Sequence, residues 1–111
     1  NPTGAVTPPP AIRAIAELAI RHDLLVVADE IYAQLIYEPN ERLSIATLPG
    51  MRERTVTLNG FSKTYSMTGW RVGYLGAPRD LVEMLTEPRH TLSINTSTIS
   101  QHAALAAVTP P

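Results

Sequence analysis

Five apolar residues in a row, Leu24-Leu25-Val26-Val27-Ala28, give way abruptly to the acidic pair Asp29-Glu30. The length of the run and its β-branched valines fit a strand buried on both faces better than a helix. Ahead of it, Ile12, Ile15, Ala16, Ala19 and Ile20 recur at helical spacing, while Arg13, Glu17 and Arg21 fall on another face. This amphipathic helix opens in the stretch Thr7 to Pro10, because proline fits a first helical turn whose N–H groups lack partners anyway. It ends near His22-Asp23. A helix feeding a continuous apolar strand is half of a βαβ unit, so the fold class is α/β, with a mixed, mostly parallel sheet and helices packed on it. In open sheets of this kind ligands bind beyond the carboxyl ends of the strands, which is where Asp29 sits.

The remaining elements follow from local signals. Residues 38 to 50 hold Pro39, Asn40, Pro49 and Gly50 and read as loop with one short helical turn. Thr55 to Asn59 is a second strand, closed by Gly60, and Val72 to Ala77 is a third. Phe61 to Arg71, between them, is too polar and glycine-marked for a core element. Arg79 to Glu87 reads as a helix stopped by Pro88. Asn95 to Val108 reads as the last helix, with Thr98 and Gln101 spaced as a capping box. There is no internal repeat and no low-complexity segment.

Composition removes several function classes. At 111 residues and 44% hydrophobic content the chain suits one small domain with a modest core. A formal net charge of -1 with 17% charged residues offers neither a basic nucleic-acid face nor a polyanionic tail. No run approaches the roughly 18 apolar residues of a membrane span. The absence of cysteine removes disulfides and thiolate metal sites and fits a reducing, cytoplasmic setting. His22, His90 and His102 lack metal-ligand spacing, so no metal site is expected. The chain opens on Asn1-Pro2-Thr3-Gly4 without an initiator Met and closes on Thr109-Pro110-Pro111, which suggests an internal segment of a longer protein.

Four patterns then fall in order: Asn1-Pro2-Thr3-Gly4, Asp29-Glu30-Ile31-Tyr32, Gly60-Phe61-Ser62-Lys63 and Gly69-Trp70-Arg71-Val72-Gly73. Together they resemble the cofactor-binding large domain of the fold-type I pyridoxal-phosphate (PLP) enzymes, in particular the class I/II aminotransferases. The stretch from Asn59 through Lys63 to Met67-Thr68-Gly69-Trp70-Arg71 resembles that family's lysine signature. The resemblance covers residues 1–111 and is specific because separate motifs agree in order and spacing.

The resemblance implies PLP as cofactor and transfer of an amino group from an amino acid to a 2-oxo acid. It assigns Lys63 as the Schiff-base lysine, since an amine nucleophile must hold the aldehyde cofactor. Once freed, that amine can act as general base at the substrate α-carbon. Asp29 matches the carboxylate that partners the pyridine nitrogen. Tyr32 and Asn1 match positions that hydrogen-bond the ring oxygen. Arg71, eight residues past Lys63, offers a planar fork to the phosphate, and Ser62 adds a hydroxyl nearby. The resemblance also implies a homodimer with a shared site. A glycine-rich phosphate cradle and a ring-stacking aromatic are expected upstream of Asn1, and a small domain with a carboxylate-gripping arginine downstream.

Plainer readings stand beside these. Alone, Lys63 is a solvated lysine, Asp29 a strand-end turn residue and Arg71 a surface ion-pair partner. Tyr65 reads as a packing aromatic and Trp70 as a wall residue. The same scaffold also serves C–S lyases, decarboxylases and cyclopropane-forming synthases, and Gly69-Trp70-Arg71 favours the aminotransferases by analogy. A different class of reading is a non-catalytic remnant, or an effector domain that keeps the cofactor without turnover. A flanking helix-turn-helix would mark that case.

Overall fold

The computed structural model describes residues 3–109. Helix α1 spans Pro9–Arg21, with prolines in its first turn. It ends where Asp23 turns left-handed at φ 49°. The Asp23 N–H donates to Ile20 O and the Leu24 N–H to Ala19 O at 2.8 Å, the paired bonds of a Schellman ending. The Asp23 carboxylate also accepts Arg54 Nη1 at 2.9 Å, and Arg54 Nε donates to the Gly50 carbonyl. The end of α1 is thereby tied to the start of the second strand.

Strand β1 (Val26–Asp29) runs parallel to β2 (Thr55–Gly60), pairing Val26 with Thr55 through Asp29 with Leu58. Strand β3 (Gly73–Gly76) runs antiparallel to β2, pairing Thr57 with Gly76 through Gly60 with Gly73. The order is β1-β2-β3, a mixed sheet within the expected α/β class. Between β1 and β2 the chain makes two 3₁₀ turns, Ile45–Thr47 and Arg52–Arg54. The first is the short helical turn expected in residues 38 to 50.

The core is small and one-sided. Ala16 and Ala19 on α1 meet Ile45 and the fully buried Met51, with Ile12, Val26, Ala28 and Leu48 packed around them. Alanines on the inner face of α1 let Met51 approach the helix, and methionine's flexible side chain suits such a gap. This corrects the expectation of a strand buried on both faces. Along β1 exposure alternates, because α1 covers the Val26 and Ala28 side while Leu25 (64%) and Val27 (69%) remain exposed.

Helices α3 (Arg79–Leu92) and α4 (Thr98–Val108) complete the described chain. Pro88 does not stop α3 but lies inside it. Proline removes its own N–H bond to the preceding turn, yet the helix resumes, and the Ser93 N–H donates to Arg89 O at 2.8 Å. The capping box is also corrected. Ser97, not Thr98, is the N-cap of α4, and Gln101 Nε2 donates to the Thr96 carbonyl instead of serving a backbone N–H. Ile99, Leu105 and Val108 of α4 are exposed. No described helix is long and apolar enough to cross a membrane.

Candidate functional site

Parallel pairing sets the carboxyl ends of β1 and β2 side by side, and antiparallel pairing brings the start of β3 to the same edge. The Glu30 N–H extends the ladder by donating to Leu58 O at 2.9 Å. Asp29 therefore stands at the edge, on the side of β1 shared with Val27, and its Oδ1 accepts the Ile31 N–H at 3.1 Å. This local turn directs the chain away from the sheet toward Tyr32.

Strand β2 passes straight into the one-turn helix α2 (Phe61–Thr64). Gly60 is buried at the junction, and a Cβ there would lie 2.9 Å from the Val72 carbonyl oxygen and 3.1 Å from Gly73 Cα. Only glycine lets β2 and β3 close this tightly. Gly60→Ala is expected to destabilise the protein by about 1–3 kcal/mol, the usual cost of forcing extra volume into a packed position. A shifted urea midpoint measures it, and an unchanged midpoint would mean that the strands part without penalty.

Phe61 is the hub of this turn. Its N–H donates to Val72 O, and its carbonyl accepts both the Tyr65 and the Met67 N–H. Its ring stacks on Tyr65 at 5.2 Å and meets Tyr74 of β3 edge-on at 6.1 Å. Aromatic pairs at such separations contribute about 0.5–1.5 kcal/mol each beyond the area they bury. The expectation of Tyr65 as a packing aromatic agrees with this contact. Lys63 points elsewhere, with Nζ 5.5 Å from the centroid of the Tyr32 ring, a cation–π distance.

After α2 the chain makes a 3₁₀ turn at Thr68–Trp70, and Arg71 reverses it with a left-handed φ of 53°. Arg71 Nη1 donates to the Thr68 carbonyl at 2.9 Å, which holds the guanidinium beside the turn. Arg71 and Ser62 line one open cleft of about 180 Å³ together with Ile31, Asn59, Gly60, Val72 and Gly73. Trp70 is partly exposed. Among the described residues, no group of three or more His, Cys, Asp or Glu side chains is placed to hold a metal.

Five of the six residues singled out from the sequence thus lie on elements that meet at one sheet edge. Lys63 and Tyr32 are in contact, Ser62 and Arg71 share the cleft, and Asp29 ends the neighbouring strand. The sixth, Asn1, lies outside the described residues. The donor set fits PLP. It offers a primary amine for an aldehyde, a guanidinium and a hydroxyl for a phosphate, a phenol and a carboxylate. Gly60 itself lines the Ser62–Arg71 cleft.

No role for Phe61 or Tyr74 follows from the motifs alone. The four-residue spacing of Phe61 and Tyr65 was available as a signal, but the role of Tyr74 depends on the β2–β3 register. Eight of the nine basic Lys and Arg residues are arginines, so Lys63 is the only lysine in the chain.

Comparison with known proteins agrees with this geometry. The family model for aminotransferase class I and II matches residues 1–111. A bifunctional aspartate aminotransferase and glutamate/aspartate-prephenate aminotransferase of Petunia hybrida is 47% identical over 109 residues, covering 97% of this chain and 23% of the relative. Aromatic-amino-acid aminotransferase 2 of Thermococcus litoralis is 44% identical, over 97% of this chain and 28% of its own length. Among solved structures, the aromatic aminotransferase from Pyrococcus horikoshii superposes with a TM-score of 0.91 at 43% identity, over 98% of this chain and 30% of that one. The chain spans about a quarter of the length of the curated relatives it matches. With the family model matched across residues 1–111 of the chain and these relatives beside it, the chain belongs to the class I and II aminotransferase family.

Proposed function

We propose that the chain is a segment of the cofactor-binding large domain of a PLP-dependent aminotransferase, and that the whole protein moves an amino group from an amino acid to a 2-oxo acid. The observation that carries this reading is the meeting of the chain's only lysine with Tyr32, beside the Ser62–Arg71 cleft, at the edge that Asp29 terminates. PLP supplies an electron sink when bound. The residues do the rest. Lys63 Nζ holds the cofactor and, when free, moves a proton at the substrate α-carbon. Asp29 pairs with the pyridine nitrogen, Tyr32 and Asn1 bind the ring oxygen, and Arg71 with Ser62 binds the phosphate.

The names of the relatives support aspartate or aromatic amino acids as donors. The whole protein acts as a cytoplasmic homodimer in this reading, with the second subunit completing the site. Elements outside this segment supply the rest of the phosphate cradle and the substrate-carboxylate arginine, and they cover the apolar residues of β1 and α4 left exposed here. The test is to incubate the full-length protein with PLP, reduce with borohydride and map the label by peptide mass spectrometry. The label is expected on Lys63. A label on a different residue, or none, removes the reading.

A further inference from the structure

We infer that Tyr74 is a positioning residue, aiming Lys63 through the ring of Phe61. The inference rests on the cofactor reading above. Helix α2 is a single turn with no side-chain cap; its backbone is tied at Phe61, whose N–H donates to Val72 O, and among its side chains the Phe61 ring makes the aromatic contacts. Residues one turn apart share a side, and Phe61 and Tyr65 do so, stacked at 5.2 Å. Lys63 lies two residues past Phe61, about 200° further round the turn. Whatever pins the aromatic side therefore sets the direction of the amine on the opposite side.

The pin comes from a different strand. Tyr74 stands opposite Asn59 in the β2–β3 ladder, and its ring meets Phe61 edge-on, at an interplanar angle of 69°. In a sheet, alternate residues point to opposite faces. Asn59 pairs with Tyr74 while Leu58 pairs with both Asp29 and Leu75. Tyr74 therefore lies on the face away from Asp29. It supports α2 from behind and leaves the Asp29 side clear. With Tyr74 in place, Lys63 Nζ sits over Tyr32.

The step this aiming serves is the attachment of cofactor. With the cofactor bound, the neutral Nζ would add to the aldehyde carbon, a C=N bond forming as the C=O bond breaks, and the oxygen would leave as water with the two amine protons. Attachment needs Nζ at the carbon, whereas phosphate binding does not. Tyr74→Leu keeps bulk at the strand but removes the ring, and Tyr74→Phe restores the ring without the hydroxyl. In the full-length protein, two quantities separate aim from folding. One is the rate at which added PLP becomes trapped on Lys63 by borohydride. The other is the affinity for pyridoxamine phosphate, an amine that cannot attach to lysine.

Tyr74→Leu is expected to slow trapping about tenfold, since small misplacements of reacting groups cost one to two orders of magnitude. Its pyridoxamine-phosphate affinity should fall by less than the trapping rate, within about fivefold, because of the residues placed on the ring and phosphate only Ser62 shares α2 with Lys63, and one neutral hydrogen bond is worth about 1 kcal/mol. Tyr74→Phe should trap at the wild-type rate. Trapping at the wild-type rate in Tyr74→Leu overturns the inference. So does a loss of pyridoxamine-phosphate affinity matching the loss of trapping rate, which would make the role structural only. Failure of Tyr74→Phe to restore trapping also overturns it, by shifting the effect to the hydroxyl. If wild-type protein traps no PLP on Lys63, the cofactor reading itself has failed and the inference falls with it.

Discussion

Lys63→Ala in the full-length protein should abolish transamination, lowering kcat/KM by about a hundred-thousand-fold. Two losses combine in that figure. A positioned general base is worth roughly a hundred- to ten-thousand-fold. Holding a reacting group in place instead of recruiting it from solution contributes a comparable or larger factor. Within this segment no other amine can substitute, because Lys63 is its only lysine and guanidiniums do not deprotonate in proteins. Folding should be little changed. Lys63 is not buried, and its cation–π contact with Tyr32 is 5.5 Å long, so truncation opens no cavity. The assays are steady-state kinetics beside a thermal melt. Activity within tenfold of wild type would show that a different residue carries the amine chemistry.

Much of the placement of the candidate site's residues was legible in the sequence because they lie in motifs of fixed spacing. The apolar run ending at Asp29 gave the strand end, and Gly60-Phe61-Ser62-Lys63 gave the strand-to-helix junction. What was hidden depended on pairing between distant segments. Tyr74 reads as an ordinary strand residue until the antiparallel register sets it across from Asn59. Gly60 reads as a strand stop until the Val72 carbonyl is seen where its Cβ would be.

The misreadings have the same origin. By a local rule Pro88 is a helix stop, but bonds made on either side of it carry α3 to Leu92. Thr98 and Gln101 had the right spacing for a capping box, but the chain enters α4 one residue earlier, at Ser97. The apolar run at Leu24–Ala28 suggested two covered faces, yet burial depends on what lies over each face. Here α1 lies over only one.

Asp29→Asn should lower kcat by roughly a hundred- to thousand-fold, the scale seen when one preorganised electrostatic partner is lost from an active site. The amide keeps an oxygen able to accept the Ile31 N–H, now held at 3.1 Å, so the turn after β1 survives while the negative charge goes. Label should still appear on Lys63, because attachment needs the aldehyde and the amine, not the ring-nitrogen partner. The adjacent Glu30 is an internal control set by strand geometry. Exposure alternates along β1, which turns consecutive side chains to opposite faces. Asp29 lies on the Val27 side. Glu30 turns back toward the Val26 and Ala28 side, where its carboxylate is 3.9 Å from Arg42. The Glu30 side chain is 15% exposed and the arginine 45%, and a pair at this length contributes little, about 0–1 kcal/mol. Glu30→Gln should therefore leave kcat within about threefold of wild type, as surface pairs of this strength do. If Glu30→Gln were the damaging substitution and Asp29→Asn the mild one, the face assignment would be reversed, and with it the claim that Asp29 is the carboxylate facing the cofactor.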